Sequence, residues 1–240
     1  IDGNTSATST TVADADRVVM NDNGTMVQVA VTDLSAYFDD EITAMPNLVT
    51  VGAAQQLTTL AGIPFYQGDT GSIYTHNVSG TDDTAQYNSA YGLTAMDAIT
   101  TGDENTAIGY AALGANTTGG QNTAIGAGTL TAATGSLNTA VGYNALTANT
   151  GVRNTAVGIE AGLTMTGGEK NTFIGERAGR LATGDNNTFV GSQAGTTTST
   201  GVSNVGIGVK ALTANTTADN NTALGMSSML TNTVAANNTA

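Results

Sequence analysis

From Asn105 onward the chain repeats, with variations, the pentapeptide Asn-Thr-Ala-Ile/Val-Gly at intervals of 16 to 17 residues. A variable stretch with Ala and Leu and a Thr-Gly or similar turn separate one copy from the next. A fixed period of this length predicts a solenoid or an array of stacked units. A degenerate copy, Asn-Ser-Ala-Tyr-Gly, begins at Asn88. We therefore expect an N-terminal arm and small α+β collar or attachment region over residues 1–87, followed by a repeat shaft over residues 88–240.

Each unit is numbered from its anchor asparagine, which is position 0. The anchors are Asn88, Asn105, Asn122, Asn138, Asn154, Asn171, Asn187, Asn204, Asn221 and Asn238. Position 3 is apolar in every unit from Asn88 to Asn221: Tyr91, Ile108, Ile125, Val141, Val157, Ile174, Val190, Ile207 and Leu224. Position 4 is glycine in the same units: Gly92, Gly109, Gly126, Gly142, Gly158, Gly175, Gly191, Gly208 and Gly225. Position 7 is nearly always Ala.

A strand formed by the pentapeptide places Asn, Ala and Gly on one face and Thr and Ile/Val on the other. The small residues imply a narrow interior in which another backbone passes close by. If each unit is one coil rising by about 4.8 Å, nine intervals give roughly 43 Å of rod. Like residues then stack as ladders, whose amides and hydroxyls can hydrogen-bond from coil to coil.

The Ile/Val face needs a cover of its own. One chain offers about two sizeable apolar side chains per coil, too few to offset roughly 1–2 kcal/mol of ordering cost per residue. We therefore expect several copies to associate around a common axis, as a homotrimer. Ile125→Asp or Gly142→Val is expected to disrupt coil stacking, whereas a change at Ser136 is not.

Charge and composition narrow the classes of function. The formal net charge is −13, and residues 1–87 hold eleven of the acids and one base, Arg17. Neither half offers the basic stripe that nucleic acid requires. The chain has no cysteine, which excludes disulfides and thiolate sites. No apolar run is long enough for a membrane span, so we expect no membrane insertion. Because the chain begins at Ile1 without a methionine and stops at Ala240 inside a repeat, we expect it to be a piece of a longer protein.

The first 87 residues follow a different pattern. Residues 17–31 alternate around Asn21-Asp22-Asn23-Gly24 and predict a β-hairpin. Residues 33–45 place their apolar side chains on one helical face and end before Pro46, which predicts a short helix. Residues 47–51 read as a strand, 52–63 are ambiguous, 64–71 read as a turn-rich loop, and 72–87 as a polar connector.

Units such as N-T-A-I-G-Y-A-A-L, N-T-A-V-G-Y-N-A-L and N-T-A-V-G-I-E-A-G resemble the repeats of bacteriophage tail fibres. They are also similar to the left-handed parallel β-roll of trimeric autotransporter adhesin heads. V-A-D-A-D-R-V-V-M-N-D-N-G and P-N-L-V-T-V-G in the front segment resemble stretches of such fibres as well. The repeat match covers residues 88–240. The unit here is longer than that of the adhesin heads, and no stalk or membrane anchor is visible.

The resemblance implies a homotrimeric fibre that projects from a virion and supports attachment to a bacterial host. It would contact other tail or baseplate proteins through its N-terminal region. Many such fibres end in a receptor-binding tip or a self-cleaving chaperone domain, and neither is present by Ala240, so the host receptor would meet a part outside this chain. The alternative is a trimeric adhesin head on a bacterial cell surface.

Candidate chemistry is sparse, and we expect no enzyme, cofactor or metal. Gly206 to Ala211 matches a loose dinucleotide fingerprint but lies in register with the other repeats. His76, the one histidine, leaves no Ser-His-Asp constellation. Asp14, Asp16 and Asp22 do not fit the calcium loop of an EF-hand.

Two further functions stay open. A polysaccharide depolymerase would need paired carboxylates, but no acid position recurs among the repeat acids Glu160, Glu169, Glu176 and Asp185. An ice-binding solenoid would use a threonine array: Thr106, Thr123, Thr139, Thr155, Thr172, Thr188 and Thr222. Because these threonines share a face with the Ile/Val positions, we assign them a structural role.

Overall fold

The structure is a computed structural model that describes residues 17–22, 25–30, 59–60, 63–64, 66–67, 72–75 and 84–240. The chain divides into two compact units, Ile1–Leu57 and Thr58–Ala240. The strands are β1 Arg17–Asp22, β2 Thr25–Ala30, β3 Thr59–Leu60, β4 Ile63–Pro64, β5 Tyr66–Gln67, β6 Ile73–Tyr74, β7 Ser89–Tyr91, β8 Thr106–Ile108, β9 Thr123–Ile125, β10 Thr139–Val141, β11 Thr155–Val157, β12 Thr172–Ile174, β13 Thr188–Val190, β14 Val205–Ile207 and β15 Thr222–Leu224. The described residues contain no helix.

In the first unit, β1 and β2 pair antiparallel, with Arg17 opposite Ala30 and Asp22 opposite Thr25. This confirms the hairpin, and the two residues between the strands are Asn23 and Gly24, a favoured pair for a tight turn. The expected helix over 33–45 and the strand over 47–51 lie outside the described residues. The α+β collar therefore stays a prediction.

In the second unit, β6 to β15 form one sheet of ten parallel strands in sequence order, and β5 adds to its edge antiparallel to β6. Each strand is one rung of a solenoid, and like positions pair in register: Thr139 lies opposite Thr123 and Thr155, and Val141 opposite Ile125 and Val157. The parallel β-solenoid expected from the period is confirmed. At about 4.8 Å per rung its ten strands span about 43 Å.

Two expectations upstream of the repeats are wrong. The predicted turn-rich loop over 64–71 contains the second residue of β4 and all of β5, and β4 pairs antiparallel with β3. The polar connector contains β6, which pairs in parallel with β7 and begins the solenoid sheet before residue 88. The physical reason lies in Ile73-Tyr74, since a β-branched and an aromatic residue favour a strand even between polar neighbours.

Backbone hydrogen bonds join the coils well beyond the three-residue strands. In the coil that begins at Asn138, the Gly142 N–H donates to Ile125 O one coil earlier at 2.8 Å, and the Leu146 N–H to Ala161 O one coil later at 2.9 Å. Further backbone hydrogen bonds around the coil connect it to the previous coil and to the next one. The solenoid therefore has parallel-sheet pairing along several of its sides, although only one is long enough to count as strand.

The core lies inside the coil and consists mainly of alanines, with a few larger apolar side chains among them. Ala140 and Ala145, at positions 2 and 7, have no solvent exposure, and neither has Leu146 at position 8. The residues at positions 3 and 5 point outward, as in the exposed pair Ile108 and Tyr110. The expected division of the strand into an inner Asn/Ala face and an outer Thr/Ile/Val face is present.

Candidate functional site

The anchor asparagines form a continuous ladder, which is buried from Asn88 to Asn221. Each anchor N–H donates to the side-chain Oδ1 of the anchor one coil earlier, at 2.8–3.0 Å, from Asn105 through Asn238. Most anchors also donate from Nδ2 across the interior of the coil to a backbone carbonyl 13 or 14 residues ahead; for Asn105 this is Gly119 O at 2.9 Å. One amide thus satisfies two backbone groups that a buried coil would otherwise leave unpaired.

Ser72 takes the place of asparagine at the start of the ladder. The Asn88 N–H donates to Ser72 Oγ at 3.0 Å, and the Ser72 hydroxyl donates to Ala85 O at 3.2 Å. Sequence reasoning missed this first rung because serine is not the anchor residue. The signal that could have revealed it is the 16-residue spacing from Ser72 to Asn88.

The position-4 glycines occupy a backbone conformation that other residues rarely adopt. Gly142 has φ of 132°, and a Cβ placed there would lie 2.5 Å from Gly158 O of the next coil. The same contact recurs from Gly92 to Gly208, at 2.4–2.7 Å. Both the dihedral angle and the close approach of the next coil exclude a side chain at this corner.

The core changes composition in the coils that begin at Asn171 and Asn187. Phe173 and Phe189 replace Ala at position 2, and their rings stack with centroids 5.6 Å apart and planes within 8°. Gly179 and Gly195 stand where most other coils have Leu or Met at position 8, and a Cβ on either would lie 2.5–2.6 Å from the neighbouring phenylalanine ring. Each phenylalanine therefore fills the volume that the missing position-8 side chain vacates.

The same packing explains the apparent dinucleotide fingerprint. Gly206 lies in β14, inside the coil, where a Cβ would lie 3.1 Å from the Phe189 ring. The glycine accommodates a phenylalanine of the previous coil, so the motif has a packing explanation within the repeat.

Hydroxyl ladders occur at positions that the sequence did not single out. At position 9, Thr147 Oγ1 donates to Asn144 O at 2.9 Å and lies 3.1 Å from Gly128 O of the previous coil. Thr196 and Thr213 make the equivalent pairs of contacts. In contrast, the position-1 threonines have no side-chain hydrogen bond to any described residue, so the hydroxyls of the outer face are free to bind water or a partner.

Two neighbouring columns of exposed apolar side chains run along the outer face. The position-3 column is apolar in all nine coils from Asn88 to Asn221, with Ile108 at 43% and Ile125 at 38% exposure. The position-5 column lies two residues farther along each coil, on the other side of the corner glycine. It contains Leu93, Tyr110, Ala127, Tyr143, Ile159, Glu176, Ser192, Val209 and Met226, and its large apolar members are 47–79% exposed.

A charged cluster interrupts the position-5 column. Glu160 Oε2 accepts from Arg177 Nε at 2.9 Å and from Arg180 Nε at 3.0 Å, and Arg177 Nη1 lies 3.6 Å from Glu176 Oε1. The hydrogen bond from Arg177, followed by that from Arg180, holds the pKa of Glu160 below its usual value. The bond to Glu160 in turn raises the pKa of Arg177. The two acids and two bases compensate each other, so this part of the surface is charged but neutral overall.

The described residues bring together no catalytic or metal-binding arrangement. No group of three or more His, Asp or Glu side chains among them could hold a metal ion. A shallow polar cleft of about 330 Å³ contains Asp103 and Glu104. Both carboxylates already accept hydrogen bonds, from Gln86 N and Gln121 Nε2, each at 2.8 Å. Of the repeat acids, Glu160 and Glu176 lie in the charged cluster, and the Asp185 carboxylate accepts from Glu169 N at 2.9 Å.

No helix among the described residues is long and apolar enough to cross a bilayer. Comparison of the chain with protein-family models, with curated proteins and with solved structures finds no match in any of the three.

Proposed function

We propose that this chain is a structural shaft that associates as a homotrimer and works as part of a bacteriophage tail fibre, projecting from the virion and supporting attachment to the bacterial host. The observation that carries the proposal is the pair of exposed apolar columns on a regular, internally hydrogen-bonded solenoid. Fixed backbone pairing repeats each column at every rung, so the surface is ordered before any partner binds.

The size and composition of this surface favour association. Over nine coils the two columns cover a strip about 38 Å long and about 10 Å wide. A strip on the order of 400 Å² is as large as the largest apolar patches of ordinary monomers, and such patches mark interaction sites. A partner whose apolar groups repeat at the same spacing would match it along its whole length, and a second copy of this chain has that spacing.

The two-column form favours a closed ring over a pair. The columns lie on opposite sides of the position-4 corner, so each chain can contact one neighbour through position 3 and another through position 5. Contacts between two different patches form rings when the rotation closes. Three parallel copies would bury both columns of every chain around a common axis.

The mechanism of such a shaft is geometric. A rigid trimeric rod holds binding surfaces in threes, so avidity compensates for modest affinity of each contact. The virion assignment rests on the resemblance of the repeats to those of phage fibres; a trimeric adhesin head on a bacterial surface is the alternative. The genes flanking the full-length gene separate the two, since virion structural genes support the first and an outer-membrane anchor in the same reading frame supports the second.

The mass of the native assembly tests the proposal. We expect a species of three times the 23.9 kDa chain mass. Because Ile125 is 38% exposed, Ile125→Asp places a charge in the position-3 column without entering the core, so we now expect it to yield folded monomers and not the disrupted coil stacking expected from the sequence. Thr118→Ala, a change at an exposed residue of the shaft, is the control and should leave the trimer intact. A stable, well-folded monomer of the unmodified chain would overturn the proposal.

The free hydroxyls at position 1 favour one second candidate, an ice-binding face. Thr123 and Thr139, for example, lie on adjacent rungs with outward hydroxyls unpaired by the described residues. A regular array of free hydroxyls beside apolar groups could order water at a crystal surface. Thermal hysteresis in solution would support this candidate, and its absence together with a trimeric mass would exclude it.

A further inference from the structure

Register is the problem that a periodic interface leaves unsolved. If the chain associates through its apolar columns, as proposed above, a slip of one coil moves a neighbour by about 4.8 Å and again places apolar residues against apolar residues. Repetitive seams of this kind specify register weakly unless a residue breaks the pattern. Something in the columns must therefore distinguish one height from the next.

The position-5 column contains one charged residue among its nine members, Glu176. Its neighbours in that column are Ile159 on the coil before and Ser192 on the coil after, and Ile174 precedes it at position 3 of its own coil. Glu176 is half exposed, and Ile174 is 40% exposed. The carboxylate therefore stands at the edge of the surface that the other chains would cover.

The cations that can accompany this carboxylate lie at the same height. Arg177 donates to Glu160 and reaches Glu176 only at 3.6 Å, beyond ordinary hydrogen-bond distance. Its guanidinium has more donors than these contacts use. In a parallel trimer without slip, Glu176 of each chain can meet Arg177 of the next, which forms a closed ring of alternating charges.

A slip of one coil breaks this ring. Glu176 would then face the level of Ile159 or of Ser192 in the neighbour, and its carboxylate would be covered with only the long contact to Arg177 of its own chain, at 3.6 Å. A charge in a covered apolar seam is disfavoured when its pairing is incomplete, and it is tolerated when it is fully paired and hydrogen-bonded. A polar residue at one interface position fixes the register of coiled coils by the same reasoning, at some cost in stability.

We propose that the Glu176–Arg177 pair, supported by Glu160 and Arg180, sets the register of self-association of this chain. The proposal rests on the homotrimer proposed above. It assigns the charged cluster a role in specificity, whereas the apolar columns supply the affinity.

Disulfide trapping tests the register, and the absence of cysteine from the chain makes every engineered thiol unambiguous. Ile108→Cys chains refolded together with Tyr110→Cys chains report equal heights. Ile108→Cys chains refolded with Leu93→Cys chains report a slip of one coil. The reporters lie four or five coils before Glu176, so they do not disturb the cluster. Each pair is made in the unmodified background, with Glu176→Leu, and with Ser192→Leu as the control that fills the same column without removing the charge.

We expect the equal-height disulfide alone in the unmodified and Ser192→Leu backgrounds, and both disulfides in comparable yield with Glu176→Leu. We also expect Glu176→Leu trimers to resist dissociation at least as well as unmodified trimers, since leucine makes the column continuous. A Glu176→Leu trimer with only the equal-height product, or an unmodified trimer with both products, would overturn the register proposal alone. Monomers without any interchain disulfide would overturn the proposed function and this inference with it.

Discussion

Replacing Asn138 with alanine tests the asparagine ladder at one junction. Asn138 is fully buried, its Oδ1 accepts from Asn154 N at 2.9 Å, and its Nδ2 donates to Gly151 O at 3.0 Å. The substitution leaves the Asn154 N–H buried without an acceptor. The Gly151 carbonyl retains one donor, Asn149 Nδ2 at 3.2 Å.

The expected cost has three parts. The unpaired Asn154 N–H costs about 1–3 kcal/mol, and loss of the bond to Gly151 costs about 0.5–1.5 kcal/mol. The substitution removes about 25 Å³ of side-chain volume, which at about 24 cal/mol per Å³ of void adds about 0.6 kcal/mol. We therefore expect Asn138→Ala to lower the free energy of unfolding by about 2–5 kcal/mol.

Urea unfolding followed by circular dichroism measures the total, and hydrogen exchange of the Asn154 amide measures the local effect. Thr118→Ala, at an exposed residue of the same shaft, is the control and should stay within about 0.5 kcal/mol of the unmodified chain. Asn138→Ala with unchanged stability and a protected Asn154 amide would refute the ladder argument. Ser136 is a poorer control than its sequence suggests, because its hydroxyl accepts from Gly120 N at 3.1 Å.

Three further predictions follow from the coil. Gly142→Ala should destabilise the chain severely in chemical denaturation, whereas Gly167→Ala should be nearly neutral, since a Cβ at Gly142 would lie 2.5 Å from Gly158 O and one at Gly167 meets nothing within 4 Å; equal effects would contradict the steric argument. Phe173→Ala should lower the free energy of unfolding by about 3–5 kcal/mol. Adding Gly179→Leu should recover part of this loss, because it restores the core composition of the other coils, and a double-mutant cycle should show a favourable coupling of about 1–3 kcal/mol. Additive effects of the two substitutions would contradict the volume exchange. The pKa of Glu160 is lowered in the folded chain. The stabilisation that Glu160 contributes should therefore be complete above the usual glutamate pKa and should disappear as the pH falls through the lowered pKa. The difference in unfolding free energy between the unmodified chain and Glu160→Gln should narrow over that acidic range, and a difference that widens there would contradict the lowered pKa.

The solenoid was predictable because two features of the repeat can be read from short stretches of sequence: the fixed spacing of the anchors and the alternation of small and large residues within each strand. The anchor period placed like residues on successive rungs, and Ala against Ile/Val within the strand determined which face is inside. The role of each asparagine was only partly predictable. A column of asparagines suggests stacked amides. The bond across the coil, such as that from Asn105 to Gly119, depends instead on which backbone carbonyl the folded coil places opposite each asparagine.

Compensating changes at two different positions of a coil were not predictable in the same way. Phe173 and Gly179 each look like departures from the repeat, and their fit becomes evident only when the ring lies over the glycine. Ser72 was missed because its hydroxyl takes the place of the asparagine amide in the ladder, although serine does not match the repeat's consensus residue. The sequence pattern predicted which residues form the outer surface. What binds that surface depends on contacts between chains, which the repeat period does not encode.

Hydroxyl-radical footprinting of the tyrosines tests most directly whether the apolar columns are an interface. Tyr110 and Tyr143, both in the position-5 column, are 61% and 56% exposed in the single chain, and Tyr87, outside the columns, is 58% exposed. At protein concentrations where the chain associates, we expect Tyr110 and Tyr143 to be protected from the radical while Tyr87 stays reactive. In the Ile125→Asp variant we expect all three tyrosines to react alike. Tyr110 and Tyr143 as reactive as Tyr87 in the unmodified protein would contradict the proposed trimer.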